Sequence, residues 1–230
     1  EADRELVEIR QSLEQEGGSL RQLLQPGLRV ALVIGVLLPF FSQVSGINAI
    51  VYYGTTIFRE AGWELSESLG GQAYVGFVNV LFTLVAVAVV DRFGRKPLLY
   101  IGISGLVVAL VAAAVLFAAE LTNRQLVAVL MLYMACFAFS LGPVPWIIIA
   151  EIFPTRIRGR AMSVGTFTIW GTNTLVMLLF PTLRDGLGPA LTFAMFAMLV
   201  APALLLTWLL IPETKARSLE EIERSWQPGA

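Results

Sequence analysis

The sequence predicts an all-α membrane protein: six transmembrane helices arranged as a 3+3 inverted repeat. Three observations carry that expectation: the abundance of apolar residues, the confinement of charge, and two helix-breaking clusters at matching positions. Hydrophobic residues make up 57% of the 230 residues and charged residues 14%, against about 25% charged in ordinary soluble domains. Mean hydropathy is +0.75. Between Val30 and Val90 the charges are Arg59, Glu60, Glu64 and Glu67, all within one short stretch. A soluble fold has no reason to segregate charge in this way.

A hydrocarbon core of about 30 Å takes about 20 helical residues to cross. The qualifying stretches are Leu28–Phe58, Gln72–Val90, Pro97–Ala119, Gln125–Ala150, Ala161–Phe180 and Pro189–Ile211. The first is too long for one straight span and should bend or leave the bilayer. Before it, residues 1–27 form a polar lead in which Leu6, Ile9 and Leu13, then Leu20, Leu23 and Leu24, are spaced as on amphipathic helices separated by Gly17-Gly18. This lead reads as a cytoplasmic linker, and residues 212–230 as a cytoplasmic tail. The opening Glu1-Ala2-Asp3-Arg4-Glu5 has neither an initiator Met nor the regions of a signal peptide, so the chain reads as a piece of something longer.

The connections take sides. Of 16 Lys and Arg residues, 13 lie before the first span or after the second, fourth and sixth. The remaining 3, Arg59, Arg124 and Arg184, lie in the alternate connections. Basic residues accumulate on the cytoplasmic side, so both termini are expected there, in a multi-pass protein of the plasma (cell inner) membrane.

Several function classes drop out. A net charge of −1 leaves no basic excess for nucleic acid. With no histidine there is no imidazole base or ligand, and no metal site or cofactor is expected. The lone Cys136 reads as a small buried hydrophobe. No acid dyad, Cys pair or nucleophile motif marks an enzyme.

The helix breaks locate the candidate site. The first span holds Pro39 and Gly46 within Ser42-Gln43-Val44-Ser45-Gly46-Ile47-Asn48, and the fourth holds Gly142-Pro143-Val144-Pro145-Trp146. These spans lead the two successive triplets, as an inverted repeat with a midplane site requires. Proline removes a backbone hydrogen bond, and in hydrocarbon the freed carbonyls need neighbours or a wet cavity. On a regular helix Ser42, Ser45, Asn48, Tyr52 and Thr56 share one stripe, which should face a cavity or another helix. Gln43 lies about 100° off it, and either packs on a neighbour or is swung in by local unwinding. Asn79 and Asn173 add solitary amides on the second and fifth spans. Amides both donate and accept, and Trp146 and Trp170 offer flat apolar faces. Together they suit a small ring bearing hydroxyls on its rim.

These residues resemble the sugar porter family of the major facilitator superfamily, over essentially the whole chain. The first cluster, followed by Tyr52-Tyr53, is similar to the family's seventh-helix motif. Asp91-Arg92-Phe93-Gly94-Arg95-Lys96 resembles the loop after the eighth helix. Gly142 to Trp146 resembles the tenth, and Glu151-Ile152-Phe153-Pro154 with Arg158-Gly159 the loop after it. Pro212-Glu213-Thr214-Lys215 resembles the segment after the twelfth. The resemblance implies the C-terminal half of a twelve-helix carrier that moves a hexose or pentose by alternating access. Its partners would be the bilayer, a small sugar or polyol, and an N-terminal six-helix half. It implies sugar contacts at Gln43, Asn48, Asn79 and Trp146, with Tyr52 and Tyr53 near the extracellular gate; the residues themselves add Ser42, Trp170 and Asn173 to the expected substrate-binding set.

Departures matter. Ser42 stands where the family has a glutamine, Ile169 where a polar residue precedes the tryptophan, and Ala216 where glycine follows Pro-Glu-Thr-Lys. The first two remove hydrogen-bonding capacity, which brings forward a pentose, a deoxy or less polar polyol, or another small polar solute that is not a sugar. A transport-inactive sugar sensor is the alternative from another class. Asp91, Arg92, Arg95, Glu151, Arg158 and Glu213 gather at the inner ends of spans and are expected to form an ion-pair latch, Asp91 with Arg95 and Glu151 with Arg158. No acid lies at mid-depth, so any proton coupling would belong to the other half.

Overall fold

The computed structural model describes residues 20–60, 62–121 and 124–215. The proposed linker up to residue 19, including Gly17-Gly18, and the tail from Ala216 onward lie outside the described residues. All regular structure among the described residues is helical. Two short 3-10 turns, Leu20–Leu24 and Pro26–Leu28, lead into α1 (Arg29–Val44), α2 (Ile47–Glu60), α3 (Leu65–Phe93) and α4 (Arg95–Ala118). There follow α5 (Arg124–Phe139), α6 (Val144–Ile152), α7 (Thr155–Val200) and α8 (Pro202–Leu209).

By length and apolarity 5 helical segments can cross a membrane: Arg29–Glu60, Leu65–Phe93, Arg95–Ala118, Gln125–Ile152 and Thr155–Leu209. The sequence predicts six. The difference lies in the last segment, whose 55 residues would reach about 80 Å if straight. It carries both of the final predicted spans. The helix does not stop at Phe180 but runs through Pro181 to Leu187, and turns at Gly188, with φ 78° and ψ 164°, just before Pro189. Proline is tolerated where its own N–H would in any case go unpaired, and here that place is the start of the outgoing helix.

The packing centres on α4 and α7. α1 lies against α7, and α4 is sandwiched between α5 and α7, while α3 rests on α5 and α2. The most apolar stretch of α1 and α2 is 67% buried, whereas that of α3 is only 17% buried. α3 begins in a capping box, in which Glu64 and Glu67 each accept from the other's backbone N–H.

Pro39, expected to break the first span, does not: α1 continues through it to Val44. The proline leaves the Gly35 carbonyl without its helical donor. That carbonyl faces Gly165 of α7, where an added Cβ would lie 3.5 Å from the oxygen. The missing side chain lets the α7 backbone approach and cover the exposed dipole, a close contact that small residues permit between membrane helices.

The break falls instead at Ser45-Gly46. Gly46 has φ 83°, and a Cβ there would meet the Phe196 ring at 2.6 Å. Either condition alone favours glycine. Gly46→Ala is therefore expected to lower the melting temperature of the detergent-purified protein, by about 2 kcal/mol of stability or more. Unchanged melting would mean that the break is not held in this conformation.

Candidate functional site

The unwinding at Ser45-Gly46 decides where Gln43 points. Residues five apart on a regular helix stand about 140° apart. Here the Asn48 amide donates to Gln43 Oε1 at 2.8 Å, and its second hydrogen goes to Asn173 Oδ1 on α7, also at 2.8 Å. Three amides from α1, α2 and α7 thus meet at the break. Gln43 and Asn173 are buried and Asn48 is half-buried. The cluster uses one acceptor each from Gln43 and Asn173, which leaves the N–H groups of both and the Asn48 carbonyl to bind something else.

Ser42 and Ser45, assigned from the sequence to the same stripe, turn the other way. Ser42 Oγ donates to the Leu141 carbonyl at 3.1 Å, inside the second break. Ser45 Oγ donates to the Ser42 carbonyl at 2.7 Å and lies 3.1 Å from the Tyr133 hydroxyl, which donates to the Ser45 carbonyl at 3.0 Å. The Ser42 hydroxyl is thereby committed to backbone. Tyr133 was not singled out from the sequence: a tyrosine within an apolar run looks like core. The one clue was its place two turns ahead of Gly142-Pro143.

The second break spans Ser140 to Pro143, between α5 and α6. Gly142 N–H reaches back to the Phe137 carbonyl at 2.9 Å, and Val144 N–H bonds the Ser140 carbonyl at 3.0 Å. Trp146, in the first turn of α6, is half-buried, whereas Trp170 on α7 is 61% exposed. Asn79 on α3 is half-buried and makes no side-chain hydrogen bond among the described residues. Tyr52 is exposed, and Tyr53 packs its ring on Phe180 at 5.0 Å. At the far end of α2, Glu60 lies 3.5 Å from Arg184, which ties α2 to the stretch between Phe180 and Gly188. The structure thus brings Gln43, Asn48 and Asn173 into direct contact. It gives Asn79, Trp146 and Trp170 no hydrogen bond to them.

The charged residues form a connected cluster at the opposite end. Arg95 Nη2 is 2.9 Å from Asp91 and 2.7 Å from Glu151, and Nη1 donates to the Val90 carbonyl at 3.3 Å. Thr214 Oγ1 donates to the other Glu151 oxygen at 2.6 Å. Glu213 accepts from the backbone N–H groups of Arg95 and Lys96, both at 3.1 Å, and so caps α4. A carboxylate suits the positive end of a helix. Gly94, with φ 91°, makes the approach possible, since a Cβ there would meet that carboxylate at 2.6 Å. Lys215 closes the cluster by donating to the Arg92 carbonyl.

One expected pairing is corrected. Glu151 pairs with Arg95, not with Arg158, whose Nη2 donates weakly to Thr155 at 3.4 Å and whose Nε is buried with no partner among the described residues. The reason is geometric. Phe153 is extended after α6 and Pro154 opens α7, so the chain turns between Glu151 and Arg158 and the two end on different helices.

The chain has relatives among known proteins. It is 42% identical over 227 residues to the arabinose–proton symporter of Bacillus subtilis, covering 98% of this chain and 49% of that protein. It is 37% identical to the galactose–proton symporter of Escherichia coli, covering 100% of this chain and 51% of that protein. Among solved structures, the proton–xylose symporter of the major facilitator superfamily bound to 6-bromo-6-deoxy-D-glucose matches with TM-score 0.80 and 32% identity. That match covers 98% of this chain and 49% of that one. The inward-open xylose transporter from E. coli matches with TM-score 0.79 and 31% identity, over 98% of this chain and 47% of that one. The chain therefore spans about half the length of the curated relatives it matches. The family described as sugar (and other) transporter matches residues 1–226, and the chain belongs to that family of membrane transporters.

Proposed function

We propose that the protein carries a neutral sugar, a pentose or a hexose, across the plasma membrane by alternating access. In this reading the chain supplies the second six-span half of a twelve-span carrier. The observation that carries the proposal is the amide cluster at the first helix break. Asn48 fixes Gln43 and Asn173 so that their remaining N–H groups and its own carbonyl stay free, a mixed donor and acceptor surface that hydroxyls require. Among the described residues no Lys or Arg joins its hydrogen bonds to select an anion. The carriers similar to this chain are named for arabinose, galactose and xylose. Gly188 then separates the fifth and sixth spans, which restores a 3+3 repeat whose two leading spans are the broken ones. The basic connections support a cytoplasmic side for both termini, and Asp91, Arg95, Glu151 and Glu213 would then form a latch on that side. The acidic residues lie at helix ends, so proton coupling would rest with the other half.

The test is uptake of labelled L-arabinose, D-xylose and D-galactose by the full-length carrier in proteoliposomes. Saturable uptake of at least one is expected, competed by the others according to pocket size. This chain reconstituted alone should show no flux above empty vesicles, because half the walls of the site are absent. Uptake of none of the sugars, or saturable flux through the chain alone, would overturn the proposal.

A further inference from the structure

The backbone defects at the two breaks are repaired by hydroxyls from each other's helices. Proline at 145 has no N–H to offer the carbonyl four residues earlier, so Leu141 loses its helical donor. The hydroxyl of Ser42 on α1 fills that vacancy at 3.1 Å. In the other direction, the left-handed Gly46 turns the chain away from a regular ladder, and the Ser45 carbonyl accepts from the Tyr133 hydroxyl on α5 at 3.0 Å. Both repairs are buried: Ser42, Ser45 and Tyr133 are at most 3% exposed. The proton count also closes. Each hydroxyl has one hydrogen: Tyr133 gives its own to the Ser45 carbonyl, and Ser45 gives its own to the Ser42 carbonyl. The Ser42 hydroxyl is left to serve Leu141. The chain of bonds runs from Tyr133 through Ser45 and Ser42 to Leu141, out of one broken helix, through the other, and back.

We propose that Tyr133 and Ser42 are positioning residues that couple the two helix breaks, so that neither break can change its geometry without the other. Asn48 and Gln43 flank Ser45-Gly46, and Trp146 follows Leu141 by five residues. The coupling therefore sets the spacing between the amide cluster and the far break. Its functional consequence rests on reading that cluster as the sugar site. The coupling itself is tested without sugar.

The experiment is hydrogen–deuterium exchange on the full-length protein in nanodiscs, following peptides that contain Gly46 and Ile50 and peptides that contain Gly142 and Val144. Tyr133→Phe removes only the hydroxyl that serves the first break. Ser42→Ala removes the one that serves the second. Losing a buried partner is expected to speed exchange by roughly tenfold, in both sets of peptides for each variant. Ser42→Thr, which keeps the hydroxyl, should restore slow exchange in both. Acceleration confined to the break that lost its own donor would overturn the coupling, and so would unchanged exchange at both breaks. If sugar uptake fails in the unaltered protein while the exchange pattern holds, the proposed function falls and the coupling stands.

Discussion

Replacing Asn48 with alanine in the full-length carrier is expected to lower uptake at low sugar concentration by roughly 10- to 100-fold. Asn48 makes two hydrogen bonds of 2.8 Å, to Gln43 and Asn173, and removing it frees both partners at once. Gln43 would lose the contact that holds it across the unwound turn, and Asn173 its link from α7 to α2. The preorganised surface then becomes two independent amides, and binding a hydroxylated ring has to order them again. The maximal rate should fall much less than the affinity, because the helices and their breaks are untouched. Normal expression with unchanged uptake at low concentration would remove Asn48 from the site.

The second large effect is expected at the charged cluster. The Arg95 side chain is 11% exposed and that of Glu151 26%, so the pair is only partly in contact with water. Removing one partner of a fully buried pair costs about 3–5 kcal/mol. Partial exposure of Glu151 reduces this to about 2 kcal/mol for Arg95→Ala, read as a lower melting temperature in detergent. Arg95→Lys should recover part of it, because an ammonium is a point charge and cannot reach Asp91, Glu151 and the Val90 carbonyl in one fork. Glu151→Gln keeps a hydrogen-bonding side chain beside Arg95 and Thr214 while removing the charge. If the cluster is a latch, this change should raise labelling of an engineered cysteine in the cytoplasmic cavity by roughly 5-fold or more. Equal labelling with normal uptake would make these residues anchors only.

The helices were legible because each long apolar run has to cross or bury something, and the clusters at Gly46 and Gly142 mark discontinuities that an apolar run would otherwise lack. What escaped was set by tertiary neighbours. Pro39 looks like the stronger breaker in the sequence, yet α1 passes through it because Gly165 comes close to the freed carbonyl. The orientation of Gln43 is open in the sequence because it depends on the turn at Gly46, which Phe196 and the left-handed backbone set. Ser42 reads as part of a polar stripe, but its hydroxyl answers a vacancy that Pro145 creates 99 residues from it at Leu141. Glu151 has Arg158 near at hand along the chain, but its partner Arg95 is 56 residues away. In each case packing between helices decided what the local pattern could not.

α3 presents Tyr74, Phe77, Val80, Leu84 and Val87 outward over most of its length. Wherever this chain is handled as it stands, that helix has to be clothed, by amphiphile or by another apolar surface. A purified sample is thus a mixed particle, and its elution volume reports polypeptide and coat together. Mass read from elution alone will exceed the 25.1 kDa of the chain. Light scattering combined with refractive index and absorbance can divide the particle into its parts, and the size of the coat becomes a gauge of how much apolar surface, that of α3 included, is left uncovered.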